Sequence, residues 1–80
     1  MNGLRVYIKG DAVETYAGRP VFYSRRENGP YYRWFYDDSV SAWQVGRVLR
    51  SGVSAKAFTA TPWKGIPARL QRSIVDHYED

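Results

Sequence analysis

Five aromatic side chains occupy six consecutive positions between Tyr31 and Tyr36, and no other segment restricts the possible folds as strongly. In a β-strand, successive side chains alternate between the two faces of a sheet. An 80-residue chain buries only about 63% of the surface that it exposes when unfolded. We therefore expect one face to be covered by a helix while the other stays open, or both faces to be partly solvated. The two sets are Tyr31, Arg33 and Phe35 on one face and Tyr32, Trp34 and Tyr36 on the other.

Alternating apolar and polar residues predict three strands in the first half of the chain. The pattern from Leu4 to Ile8 is typical of a half-buried strand. A second strand is predicted from Pro20 to Arg25, and the aromatic segment continues to Asp37 as a third. Asn28 and Gly29 between them tolerate positive φ, so the second and third strands should pair as an antiparallel hairpin. The intervening segment Ala12 to Tyr16 fits either a short helical turn or a strand.

Two further strands are predicted after the aromatic segment. Ala42 to Leu49 places Trp43, Val45 and Arg47 on one face, and Val53 to Ala60 gives a weaker fifth strand. Because the aromatic strand has a hairpin partner on each side, we expect it to form the centre of the sheet. The expected cross-strand neighbours of the aromatic strand are Phe22 or Tyr23 on one side and Trp43 on the other.

The C-terminal segment has helical periodicity. Ile66, Leu70, Ile74 and Tyr78 recur every four residues, and Pro67 suits the first position of a helix. The stripe should pack on one face of the sheet. The sequence thus predicts one small domain over residues 1–80, of the α+β class: an antiparallel sheet of four to five meander-like strands with one C-terminal helix packed on one face.

Positive charge is concentrated in the second half of the chain. The formal net charge is +4, but the stretch from Ser39 to Val75 holds six basic residues and no acidic one. Such a stretch attracts phosphate backbones or acidic protein surfaces. It can equally serve only to keep a small apolar domain in solution.

Few residues in this chain are suited to catalysis or to holding a metal ion. It contains no cysteine and one histidine, His77, close to the end of the predicted helix. Adjacent Asp37 and Asp38 point in diverging directions at a strand end, where turn formation explains them better than acid and base catalysis. The glycines form no phosphate-binding loop. We therefore expect no enzyme activity, no catalytic residue, no cofactor and no metal site.

The first residues lack the basic start and apolar core of a secretory signal, and no apolar run approaches the ~20 residues of a membrane span. A cytoplasmic protein without membrane contact is the expectation.

Tyr, Trp and Arg are abundant, and they contribute most of the binding energy at many protein interfaces. We therefore expect a non-enzymatic adaptor, subunit or inhibitor that recognises a protein partner through an Arg/Tyr/Trp-rich sheet surface. The alternative is a basic nucleic-acid-binding module that holds single strands by aromatic stacking and Arg–phosphate contacts. Capture of a sugar or nucleotide-derived polymer, and pairing of the surface with a second copy, also remain open. The candidate partner-binding residues are Tyr23, Arg25, Arg26, Tyr31, Arg33, Phe35, Arg47 and Arg50.

Overall fold

A computed structural model of the chain describes residues 3–10, 13–49 and 57–79. Five strands form an antiparallel sheet in the order β6-β5-β4-β1-β7, two short strands form a separate hairpin, and one C-terminal helix packs against the sheet. The predicted α+β class is thus confirmed. The elements are β1 (Arg5–Lys9), β2 (Thr15–Tyr16), β3 (Arg19–Pro20), β4 (Phe22–Arg25), β5 (Tyr32–Asp37), β6 (Ala42–Arg47), β7 (Phe58–Thr61) and α1 (Ala68–Tyr78).

The central strand of the sheet is β4, so the prediction that the aromatic strand forms the centre is wrong. β5 does lie between two hairpin neighbours, with Phe22 opposite Trp34 and Trp43 opposite Tyr36. However, β1 pairs with the edge of β4 that β5 does not occupy, and β7 pairs with the other edge of β1. These two pairings join distant segments, and local turn signals do not encode them.

The two ambiguous segments both contain strands. Within Ala12 to Tyr16, the residues Thr15–Tyr16 form β2 and pair with β3, while residue 12 is outside the described part. Ala17 and Gly18 connect them with φ values of 50° and 80°, the backbone of a tight hairpin turn. Of the segment predicted as a fifth strand, residues 58–60 belong to β7, and residues 53–56 are outside the described part.

The core lies between α1 and one face of the sheet. Leu70 and Ile74 are completely buried, and Trp34 is 2% exposed. All four residues of the predicted helical stripe belong to the buried set, so this prediction is confirmed. Pro67 immediately precedes α1 instead of beginning it. The buried cluster comprises Val6, Phe22, Trp34, Ile66, Leu70, Ile74 and Tyr78.

A single hydroxyl group links the helix to the sheet inside this core. Ser24 is fully buried, and its Oγ accepts a hydrogen bond from Nε1 of Trp34 at 2.8 Å. The same Oγ lies 2.8 Å from the phenol oxygen of Tyr78. Arg26 donates a hydrogen bond to the main-chain oxygen of Tyr78 and places its guanidinium over the Tyr78 ring. The C-terminal turn of α1 is thus fixed by polar contacts as well as by packing.

Candidate interaction face

The sheet face opposite α1, termed the open face, is defined by the strand register. Cross-strand partners share a face, and Tyr23 lies opposite both Tyr7 and Arg33. The alternation within β5 therefore separates Arg33 and Phe35 from Trp34, as predicted from the sequence. The open face carries Arg5, Tyr7, Lys9, Tyr23, Arg25, Tyr31, Arg33, Phe35, Gln44, Phe58 and Ala60.

The hairpin formed by β2 and β3 covers one end of the open face. The ring of Tyr16 packs on Phe35 with centroids 4.8 Å apart, although Tyr16 itself is 42% exposed. The main-chain N–H of Val21 donates a hydrogen bond to the main-chain oxygen of Glu14 at 2.8 Å, and Val21 is completely buried. The hairpin therefore covers part of the sheet at this end, where Val21 is enclosed and Phe35 is half-buried.

A closed polar network occupies the middle of the open face. Tyr23 donates its phenol hydrogen to Glu14 over 2.5 Å. Arg33 donates through Nε and Nη2 to the other carboxylate oxygen at 3.1 and 2.9 Å. Because each of these groups has a partner, the network positions the surrounding rings instead of offering a free acid or base. The sequence pattern did not indicate Glu14, which lies in the segment that fitted two kinds of structure.

The network shifts the titration of its members in opposite directions. Burial and then the Glu14 carboxylate raise the pKa of Tyr23 to about 12. Burial also raises the pKa of Glu14, but hydrogen bonds from Tyr23 and Arg33, with the charges of Arg33 and Lys9, outweigh it and hold that pKa below 4.5. Glu14 is therefore ionised and Tyr23 neutral at physiological pH.

The other end of the open face carries four rings, Tyr7, Tyr23, Tyr31 and Phe58, termed the aromatic cluster. Tyr31 and Phe58 stack with centroids 4.3 Å apart and an angle of 21° between their planes. Tyr23 packs on Phe58 at 4.9 Å, and Tyr7 meets the edge of Tyr31 at 5.8 Å. Within the cluster, Tyr23 is buried, whereas the other three rings are half-buried. The cluster is thus a packed aromatic surface in partial contact with solvent.

Two arginines border the aromatic cluster. Arg5 on β1 lies directly opposite Arg25 on β4. The Arg25 guanidinium lies over the Tyr31 ring, 4.8 Å from its centroid. Within the described residues, the ion pairs join Arg33 to Glu14 and Arg19 to Asp38, so neither member of the arginine pair has a carboxylate partner there.

The structure brings together five of the eight residues that the sequence singled out for partner binding. Arg26 points toward α1, and Arg47, opposite Tyr32, lies on the helix-covered side. Arg50 is outside the described residues. Tyr7 and Phe58 were not among the eight, although the alternation in β1 already placed Tyr7 opposite the core. The five that share the open face are Tyr23, Arg25, Tyr31, Arg33 and Phe35.

The open face also lacks tryptophan among the described residues. Trp34 and Trp43 lie on the helix-covered side, and Trp63 lies in the turn that precedes α1. The expected Arg/Tyr/Trp-rich surface is therefore a surface of arginine, tyrosine and phenylalanine.

The groups considered for catalysis have structural contacts. The His77 ring is half-buried, and its centroid lies 4.6 Å from Tyr32 and 5.4 Å from Trp34. Asp37 accepts hydrogen bonds from the main-chain N–H and the hydroxyl of Ser39, as expected for a turn. Across residues 3–10, 13–49 and 57–79, no three His, Asp or Glu side chains converge as metal ligands would.

No helix in the described ranges has the length and apolar character needed to cross a bilayer.

Comparisons with protein-family models, with curated proteins and with solved structures give no match to this chain.

Proposed function

We propose that this chain is a non-enzymatic binding protein that recognises a protein partner through the aromatic end of its open face. The supporting observation is the half-buried aromatic cluster with the Arg25 guanidinium held over Tyr31 at 4.8 Å. Tyrosine and arginine are enriched among the residues that dominate binding energy at protein interfaces. Exposed apolar patches often mark interaction sites, and three rings of this cluster are partly exposed.

The packing of the rings against one another supports this assignment. Each ring contacts at least one other ring at centroid distances of 4.3 to 6.1 Å. Side chains that are already ordered lose less conformational entropy when a partner binds, so more of the contact energy contributes to affinity. The phenol groups of Tyr7 and Tyr31 can supply polar contacts at the rim, where interfaces are hydrated.

The same cluster is poorly arranged for single-stranded nucleic acid. Base recognition by stacking requires a free ring plane. The Tyr31 ring already stacks with Phe58 and also has the Arg25 guanidinium 4.8 Å from its centroid. The exposed cations Arg5 and Lys9 would still attract phosphate. Nucleic acid is therefore the rival outcome of the test.

The polar groups of the open face support binding instead of catalysis. Glu14, Tyr23 and Arg33 satisfy one another, so the network has no free nucleophile or base beside an exposed surface. General acid–base catalysis needs a group whose pKa lies near the working pH. The pKa values of Glu14 and Tyr23 are displaced away from neutrality.

The test compares Tyr31→Ala with Val45→Ala, a control on the helix-covered side, where Val45 is 38% exposed. Partners are captured on the immobilised wild-type chain, identified, and titrated with all three forms by isothermal calorimetry. Loss of a dominant tyrosine should weaken the complex about thirtyfold, equivalent to about 2 kcal/mol, while the control binds normally. Equal binding by Tyr31→Ala would refute the proposal.

A second titration tests nucleic acid. Fluorescent single-stranded and duplex oligonucleotides are added at low and at high salt. Micromolar binding with steep salt dependence, lost in Tyr31→Ala, would replace protein by nucleic acid as the partner.

A further inference from the structure

A groove of about 700 Å³ lies at the end of β7, next to the arginine pair. It runs between the beginning of β1 and the second half of α1, and most of its lining is apolar. Trp63 on one wall is 43% exposed. The lining residues are Leu4, Arg5, Val6, Ala60, Thr61, Pro62, Trp63 and Val75.

The path of the chain explains the groove. Pairing between β1 and β7 ends where Val6 lies opposite Thr61. Pro62 then takes the chain out of the sheet into the short turn Trp63–Gly65 that leads to α1. Residues of β1 before Val6 therefore have no β7 neighbour, and the space beside them is open. The groove is a result of the topology, and its shape is set by ordered secondary structure on each wall.

Arg5 connects this groove to the open face. It lines the groove and also lies opposite Arg25, which is held over the Tyr31 ring. Like charges directly opposite each other destabilise a pair of strands. Arg5 and Arg25 have no carboxylate partner within the described residues. An oxyanion at this position would remove the repulsion, so the arrangement is complementary to negative charge.

We propose that the arginine pair and the groove together bind an acidic peptide segment of a protein partner. A carboxylate of that segment lies between Arg5 and Arg25, and a neighbouring apolar side chain enters the groove beside Trp63. This inference depends on the proposed function and names the chemistry of the partner. Beyond Arg5, the groove offers mainly the apolar surfaces of Leu4, Pro62 and Val75. These surfaces suit a leucine-like side chain better than a sugar, so an acidic peptide is favoured over a nucleotide.

A phage-displayed library of random peptides is selected on the wild-type chain to test the inference. The expected consensus has Asp or Glu next to a large apolar residue. The consensus peptide is then synthesised with a fluorescent label, together with one form in which alanine replaces the apolar residue and another in which amides replace the carboxylates. Both altered peptides should bind about tenfold more weakly. A consensus without acidic residues would overturn the inference.

Three charge variants separate a defined site from general attraction. Arg5→Gln and Arg25→Gln should each weaken binding of the consensus peptide about tenfold. Lys9→Gln removes the same charge from the same face of β1 and should change affinity less than about twofold. Equal losses in all three variants would show attraction by net charge alone and would overturn the site. Circular dichroism spectra confirm that each variant is folded.

Two further results distinguish the groove from its alternatives. Trp63→Ala should weaken binding of the peptide that carries the apolar residue. It should leave binding of the peptide with alanine at that position unchanged. If an oligothymidine competes with the peptide and its binding is equally sensitive to Arg5→Gln, the arginine pair is a nucleic-acid contact and the inference is wrong.

The outcome for the proposed function is separable from these results. A protein partner that depends on Tyr31 but is insensitive to Arg5→Gln and Arg25→Gln would retain the proposed function and overturn only the acidic-peptide site. An acidic peptide that binds equally well to Tyr31→Ala, together with no Tyr31-dependent partner, would support the arginine pair and refute the aromatic cluster as the interface.

Discussion

The two faces of the same sheet use their aromatic residues in different ways. On the helix-covered face, Trp34 is 2% exposed and packs with fully buried Leu70 and Ile74. On the open face, the rings of Tyr31 and Phe58 stack on each other, and both stay half-buried. The aromatic run thus contributes Trp34 to the core on one side and Tyr31 to a packed surface on the other, because successive positions of an extended chain alternate between the two faces.

Both faces also depend on one polar residue that satisfies two neighbours. Ser24 serves Trp34 and Tyr78 on the covered side. Glu14 serves Tyr23 and Arg33 on the open side. In the described residues, no fully buried side-chain nitrogen or oxygen lacks a partner. The difference is that Ser24 is completely enclosed, whereas Glu14 and Arg33 retain contact with water. Substitutions on the covered side should therefore cost more stability.

The largest expected loss follows from Trp34→Ala. Removing a buried ring from the core should lower the free energy of unfolding by about 3–5 kcal/mol, because a cavity replaces the lost contacts. Tyr31→Ala, on the open face, should cost about 1 kcal/mol, since its ring is already half-solvated. Urea denaturation followed by circular dichroism measures both. Equal losses would remove the distinction between the faces.

Trp34→Ala can prevent folding in a domain this small, so Ile74→Val provides a milder test of the same face. It should lower the free energy of unfolding by about 1 kcal/mol. An unchanged urea midpoint would show that α1 is not packed against the sheet as described.

Ser24→Ala should give the next largest effect. It leaves the Trp34 Nε1–H and the Tyr78 hydroxyl without their shared partner in a buried site, at a cost of about 1–3 kcal/mol. Ser73→Ala, at a half-buried position of α1, is the matched control and should change stability by less than about 0.5 kcal/mol. A neutral Ser24→Ala would mean that water or a rearranged side chain replaces the hydroxyl.

Glu14→Gln should have a smaller effect that depends on pH. Loss of the partly exposed ion pair should cost about 1 kcal/mol at neutral pH. Because the pKa of Glu14 is lower in the folded protein than the ordinary 4.5, its contribution is complete above that value and disappears as pH falls below it. Urea midpoints measured from about pH 6 to about pH 3 should therefore fall more steeply for the wild-type chain than for Glu14→Gln. Parallel curves would contradict the network.

Tyr23→Phe should have the smallest effect at neutral pH, about 0.5–1 kcal/mol for one hydrogen bond. Its consequence appears in alkali. The pKa of Tyr23 is raised to about 12, so the stabilisation is present below the ordinary phenol pKa of about 10 and is lost as pH rises toward the folded value. Between these two values the wild-type chain should lose stability faster than Tyr23→Phe. Identical alkaline profiles would show that the pKa of Tyr23 is not raised in the folded protein.

Local patterns of the sequence were sufficient for β1, β4, β5, β6 and α1 and for the division of β5 between the two faces, but they left β2 ambiguous and did not separate β3 from β4. The period of two in β5 separated Arg33 from Trp34, and the period of four in α1 identified Leu70 and Ile74 as core residues. Asn28 has a φ of 63° and lies in the turn that joins β4 to β5, as predicted. Each of these features is set by residues close together in the chain, which is why periodicity and turn chemistry identify them.

The order of the strands and half of the candidate site could not be predicted in the same way. The pairings of β1 with β4 and β7 depend on distant segments, so nothing near Leu4 indicates that Arg5 will lie opposite Arg25. Phe58 joins the aromatic cluster only because β7 pairs with β1. Glu14 acts from a short hairpin whose sequence fitted two structures. Non-local pairing, and not propensity, brings these residues together.

We propose that the aromatic end of the open face makes the contact with the protein partner. Hydroxyl-radical footprinting of the wild-type chain, alone and with its captured partner, tests it most directly because it reports solvent access at individual side chains. We expect the partner to protect Tyr7, Tyr31 and Phe58 from oxidation, while the oxidation of Trp43 and Val45 on the covered side stays unchanged. Protection of Trp43 and Val45, with Tyr31 still accessible, would contradict it.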